Sequence, residues 1–176
     1  MLKIFTTQLS GIFNRIQEGE ALPIEDGARL LAQAVISDHS VYVYGKNELE
    51  GILKEALYSS EPFPSAKPLP QNEEDWPAFQ TADKVLMFCS HPSDDSDLEI
   101  AKRLNEKGIG LVAVFPSGKE DAPVATFADV HIDSKLKMPL LPGEDGTRFG
   151  FPSLMVSLYI YHALSFTLKE ILQEYH

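Results

Sequence analysis

The stretch from Asp83 to Asp97, DKVLMFCSHPSDDSD, constrains the fold of this chain more than any other. Its apolar run, Val85 to Cys89, carries no alternating polar residue, and it ends abruptly in Ser90-His91-Pro92-Ser93, followed by three acids and Ser96. A short unbroken apolar run is the pattern of a central parallel strand covered on both faces, because a strand with one wet face would alternate. In open parallel sheets ligands sit beyond the carboxyl ends of the strands, so the loop from Ser90 to Ser96 is where a ligand is expected.

The flanking sequence repeats that logic. Leu2, Phe5, Leu9, Ile12, Phe13 and Ile16 recur at helical spacing up to Gly19, and Pro23 begins a second helical pattern in which Leu31, Ala34 and Val35 share a face. This leading pair either packs over the sheet or supplies a partner surface. Val41 to Tyr44 is a β-branched and aromatic strand ending in Gly45, and a helix follows from Glu48 to Ser59. Prolines at 62, 64, 68, 70 and 77 leave room for one short strand near Ser65 to Leu69. After a helix ending at Gly108, strands are expected at Ile109 to Phe115 and Val130 to Asp133, then a long irregular segment from Ser134 to Gly150. A final helix starts at Pro152 and runs to about Gln173, apolar around most of its circumference and so buried, against the sheet and a neighbouring subunit.

Strands alternating with helices imply right-handed crossovers and an α/β three-layer sandwich: about five parallel strands, helices on both faces, and a helical pair at the N-terminus. At 176 residues one domain is expected over 1–176, with leading helices at 1–37, the sheet core and site loops at 38–150, and the terminal helix at 151–176. A net charge of −11 opposes nucleic acid and anionic membranes. The single cysteine, Cys89, lies inside the apolar run, where it acts as a small hydrophobe, and no stretch reaches the ~18 apolar residues of a membrane span. The expected compartment is the cytoplasm.

Three turns fall at or beyond strand ends: Gly45-Lys46-Asn47, Ser90-His91-Pro92-Ser93, and the loop holding Glu144 and Arg148. Serine hydroxyls with backbone amides at a helix N-terminus suit a phosphate, which makes Ser90, Ser93 and Ser96 candidate ligands. The alternative is one N-capping serine among solvated turn residues. Asp94, Asp95 and Asp97 are read as partners of a helix dipole, and their spacing with His91 matches no metal site, so neither metal nor cofactor is expected. Glu144 beside Arg148 suits proton abstraction next to an anion-binding guanidinium, or is a solvated turn acid. His162 lies in the middle of the terminal helix, where a histidine is more often a core or interface residue.

The order VYVYG, ADKVLMFCS, GLVAVFP, FADVHID, loop and long terminal helix resembles the sugar isomerase (SIS) domain proteins, including the phosphoheptose isomerase branch. That resemblance implies a five-stranded parallel sheet between helices, sugar phosphate at the strand ends, and a homodimer or homotetramer. Of the family's first turn, Gly-x-Gly-x-Ser, Gly45 remains in Gly45-Lys46-Asn47-Glu48-Leu49. Its serine-rich second turn is similar to Ser90-His91-Pro92-Ser93-Asp94-Asp95-Ser96, without the glycine. Arg148-Phe149-Gly150-Phe151-Pro152-Ser153 resembles the Arg/Lys-x-Gly-x-x-Ser lead-in to the last helix, and His162 falls where the phosphoheptose isomerases carry a histidine. Glu50 and Glu55 do not fall at the spacing of the family's glutamate. The resemblance thus implies a phosphosugar-binding protein, either an aldose-ketose isomerase using Glu144 and His162 or a non-catalytic sugar-phosphate or nucleotide-sugar sensor. A flavodoxin-like binder sharing the sheet topology is a third reading.

Overall fold

A computed structural model describes residues 1–91, 94–118 and 123–175. Among the described residues seven strands and five α-helices follow one another as α1 (Leu2–Gly19), α2 (Ala21–Ile36), β1 (Val41–Tyr44), α3 (Glu50–Tyr58), β2 (Ala66–Pro68), β3 (Lys84–Phe88), α4 (Asp95–Glu106), β4 (Gly110–Phe115), β5 (Val130–Asp133), β6 (Leu141–Pro142), β7 (Arg148–Phe149) and α5 (Ser153–Glu174). The first five strands form one parallel sheet in the order β2-β1-β3-β4-β5. The central run is β3, paired with β1 through Val41–Tyr44 and with β4 through Gly110–Val114.

Because side chains alternate across a strand, each apolar run feeds two cores. Val41, Val43, Leu86, Phe88, Val112, Val114 and Ile132 face α1, α2, α3 and α5. Tyr42, Tyr44, Val85, Met87, Cys89, Leu111, Ala113 and Phe115 face α4, with Trp76 and Phe79 packed beside them. This is the α/β sandwich expected from the sequence, and it explains why the strands read as continuous apolar runs.

The leading helices divide their roles. α2 lies against the sheet beneath α5, so closely at Gly27 that a Cβ there would stand 3.2 Å from Val112 and 3.3 Å from Leu164. It begins at Ala21, two residues before Pro23; a proline in the first turn costs no hydrogen bond, since the first amides of a helix have no intrahelical partner. α1 buries Leu9, Ile12 and Ile16 and stacks Phe13 on Tyr159 of α5 at 4.2 Å, while Leu2 and Ile4 stay exposed.

The segment from Ser134 to Gly150 is more regular than its sequence. β6 and β7 pair antiparallel, Leu141 with Phe149 and Pro142 with Arg148, around a turn in which Asp145 accepts from the Thr147 amide and Gly146 takes φ +82°. Strands of two residues are too short for alternation to register in sequence.

Candidate functional site

The chain leaves β1 toward β2 on one side and places β3 on the other, so the sheet has its topological switch between β1 and β3. Their carboxyl ends are the place where a parallel sheet opens a crevice. Gly45, Lys46, Asn47 and Glu48 come from the first strand end, and Cys89, Ser90 and His91 from the second. Pro116, Ser117 and Gly118 come from β4, and Ser134 to Lys137 from β5.

The first turn owes its shape to Gly45 and Asn47. A Cβ on Gly45 would stand 2.6 Å from the Leu49 carbonyl oxygen, so only glycine lets the chain fold back this tightly. Asn47, at the position of the second glycine in Gly-x-Gly-x-Ser, has φ +55°. Asparagine is among the few side chains that adopt this left-handed backbone readily, so the turn takes a positive φ here without a glycine.

Two helices point their N-termini at this end of the sheet. At α4 the side chain of Asp94 accepts from the amides of Ser96, at 2.9 Å, and Asp97, at 3.4 Å. Lys46 Nζ stands 2.6 Å from Asp94 Oδ1, 3.5 Å from Asp97 Oδ1 and donates to Ser96 Oγ at 2.6 Å. The Tyr44 hydroxyl donates to Asp97 Oδ1 at 2.8 Å. The Lys46 ammonium, with the Ser96 hydroxyl, holds the Asp94 carboxyl well below its ordinary range. Burial pushes Asp97 upward despite the Tyr44 hydroxyl and Lys46, and burial beside Asp97 keeps Cys89 a thiol. The anion-receptive end of α4 is thus filled by the protein's own carboxylate.

At α5 the carboxylate comes from far away in sequence. Ser153 Oγ, at the first residue of the helix, donates to Glu48 Oε1 at 2.7 Å. Burial raises the Glu48 carboxyl, but the Ser153 hydroxyl, the Glu48 amide, the Ser90 hydroxyl and nearby His91 together bring it below its usual value. Glu48 therefore stands ionised between β1, β3 and α5, and His91 stacks on Phe151 with ring centres 5.8 Å apart. Beside this group lies a pocket of about 510 Å³ lined by Ser90, His91, Pro116, Ser117, Gly118, Leu136, Lys137, Pro139 and Phe151. A small cleft lined by Cys89, Ser90, Ser134, Ser153 and Ser157 adjoins it.

The fold brings the expected residues together only in part. Lys46 and Ser96 meet at α4, and Ser90 and His91 line the pocket; Ser93 lies outside the described residues. Glu144 occupies the exposed turn between β6 and β7. Arg148, on β7, donates its Nε to the Pro139 carbonyl at 2.9 Å and its Nη2 to the Leu140 carbonyl at 3.2 Å. His162 faces α3, with Nε2 3.7 Å from Glu55 Oε1. Glu48 was not among the sequence candidates. Its one signal was position, directly after the first strand-end turn. Among the described residues no cluster of three or more His, Cys, Asp or Glu could hold a metal ion, and no helix is long and apolar enough to cross a membrane.

A protein of Escherichia coli CFT073 solved in complex with a sugar phosphate is 13% identical, with a TM-score of 0.68 over 98% of this chain and 89% of that one. The phosphoheptose isomerase of Neisseria gonorrhoeae is 12% identical, with a TM-score of 0.59 over 95% of this chain and 99% of its own. These likenesses give the fold, that of the sugar isomerase domain. In sequence the chain is 64% identical to the uncharacterized protein YwjG of Bacillus subtilis (strain 168) over 175 residues, 99% of each. Its residues 1–172 match the domain of unknown function DUF2529, and the chain is a member of that family with the sugar isomerase domain fold.

Proposed function

We propose that this protein binds a sugar phosphate in the crevice between β1, β3 and β4 and that Glu48 is its working carboxylate. The observation that carries the reading is the ionised Glu48, oriented by Ser153 and neighboured by Ser90 and His91, which line a pocket of about 510 Å³. Pockets of this size suit small metabolites. Ser90, Ser117 and the Gly118 backbone offer polar contacts to hydroxyls or a phosphoryl group, and Lys137 supplies a cation.

In an aldose-ketose isomerisation Glu48 removes the proton from the carbon next to the carbonyl and returns it to the former carbonyl carbon. Carbonyl and hydroxyl exchange places, and no atom is gained or lost. His91 is placed to relay the proton between the two oxygens. Here the carboxylate that serves is Glu48 rather than Glu144, and the histidine His91 rather than His162, because the former pair stand at the strand ends.

A second reading is a sugar-phosphate sensor without turnover. It is favoured by Asp94, which fills the α4 N-terminus where a phosphate would otherwise gain from amides and dipole. One experiment separates the two: a panel of aldose and ketose phosphates assayed for thermal stabilisation and for interconversion. The isomerase reading expects both, with Glu48→Gln lowering turnover by at least about 10²-fold while stabilisation persists. Stabilisation without turnover assigns the sensor, and the absence of both overturns the sugar-phosphate site.

A further inference from the structure

A second pocket, of about 420 Å³, lies between α1 and the segment joining β5 to β6. Its charged lining inverts the character of the chain. Arg15, Lys135, Lys137 and Arg148 face it with a single acid, Asp133, although the protein as a whole carries −11. The placement follows from local structure: Gln8, Ile12 and Arg15 share one face of α1, with buried Ile12 anchoring the wall. Lys135 is already neutralised, 2.8 Å from Glu20 and 3.1 Å from Asp133. The other three cations differ. Among the described residues no carboxylate pairs with Arg15, Lys137 or Arg148. Arg148 is held in plane by the carbonyls of Pro139 and Leu140, which fix its orientation without cancelling its charge.

Like charges gathered around a concavity repel one another and cost stability unless something negative enters. A guanidinium fixed by two carbonyls and a second guanidinium on a rigid helix form a preorganised seat for phosphoryl oxygens. We propose that this pocket binds a small soluble polyanion of the phosphate or polyphosphate class, at a site separate from the strand-end crevice. Nucleic acid is disfavoured by the acidic remainder of the surface, and a recess of this volume matches a small molecule. Lys137 and Leu136 line both pockets, so the anion would lie directly behind the wall of the crevice.

The test is thermal unfolding with inorganic pyrophosphate against sodium chloride of equal ionic strength. At about ten times Kd, a native-state ligand raises Tm by about 3–6 °C for a chain of this size. The shift should disappear in Arg15→Gln and in Arg148→Gln and return in part in Arg15→Lys, which restores the charge without the planar fork. Arg15 makes no side-chain hydrogen bond or ion pair among the described residues, so its variants are expected to fold normally. A shift no larger than that from sodium chloride overturns the site. So does a shift that survives both arginine variants, or one lost instead in Ser90→Ala, which would move the anion into the crevice and leave the proposed function standing.

Discussion

The N-termini of α4 and α5 meet the same physical need by different means. Each aims unpaired amides and the positive end of a dipole at the carboxyl edge of the sheet, and each has a carboxylate beside it, which bonds the amides at α4 and a serine hydroxyl at α5. At α4 the answer is local: Asp94 caps its own helix two and three residues on, with Lys46 neutralising the excess charge. At α5 the answer, Glu48, comes from 105 residues earlier and reaches the helix through Ser153. The local carboxylate is committed to its cap and ion pair. The distant one has Ser90 and His91 as neighbours, and these two line the open pocket, which is why we propose the chemistry there.

The most disruptive way to probe this contrast is to move the turn that serves both helices. Gly45 precedes Lys46, which reaches α4, and Glu48, which reaches α5, and a Cβ added to it would stand 2.6 Å from the Leu49 carbonyl oxygen. Gly45→Ala forces backbone away from backbone, at an expected cost of about 2–3 kcal/mol in chemical denaturation. Unchanged stability together with unchanged ligand binding would mean that the turn does not set the two carboxylates.

The same contrast marks what could be read from sequence. The apolar runs of β1, β3 and β4, the helix periods and the stop at Gly108, with φ +72°, encode their structure locally, and the sheet followed from them. Asp94, Asp95 and Asp97 were legible as dipole partners for the same reason. Glu48 was not, because its role depends on a serine brought close only by the crossover topology. Asn47 was hidden differently: the missing glycine was visible, but the φ of +55° that asparagine supplies in its place was not. Glu144 and Arg148 looked like a pair from their spacing, yet the hairpin gives Glu144 to the exposed turn and turns the Arg148 guanidinium to carbonyls on its own segment.

Removing the local carboxylate should sharpen the comparison at smaller cost. Asp94→Ala deletes an N-cap and is expected to destabilise by about 1–2 kcal/mol. It also vacates the α4 amides beside Lys46 and Ser96, restoring an anion seat. Calorimetry with inorganic phosphate in an Arg15→Gln background, which silences the α1 pocket, should then show affinity rising about fivefold over Arg15→Gln alone. If phosphate binds no better, Asp94 is a cap only and does not occupy a ligand position.

The smallest expected effect is also the most discriminating, because Asp94 and Asp97 lie in one network yet shift in opposite directions. Asp94 is held below its ordinary value of 3.8, so the unfolded chain takes up this proton first as pH falls. Its stabilisation is complete above the ordinary carboxylate range and drains away as acidity increases below it. Asp97, raised by burial, is protonated first in the folded protein, so its contribution improves as pH falls from neutrality through its folded value. Thermal unfolding between about pH 7 and pH 3 should therefore show the advantage of the native protein over Asp94→Asn shrinking toward acid, while its standing against Asp97→Asn improves over the upper part of the range. Each difference should stay below about 1 kcal/mol, as Asp94 is partly exposed and Asp97 keeps Tyr44 and Lys46 as partners. Parallel slopes for the two variants would place both carboxylates in one electrostatic environment and remove the distinction between a capped helix end and a buried acid.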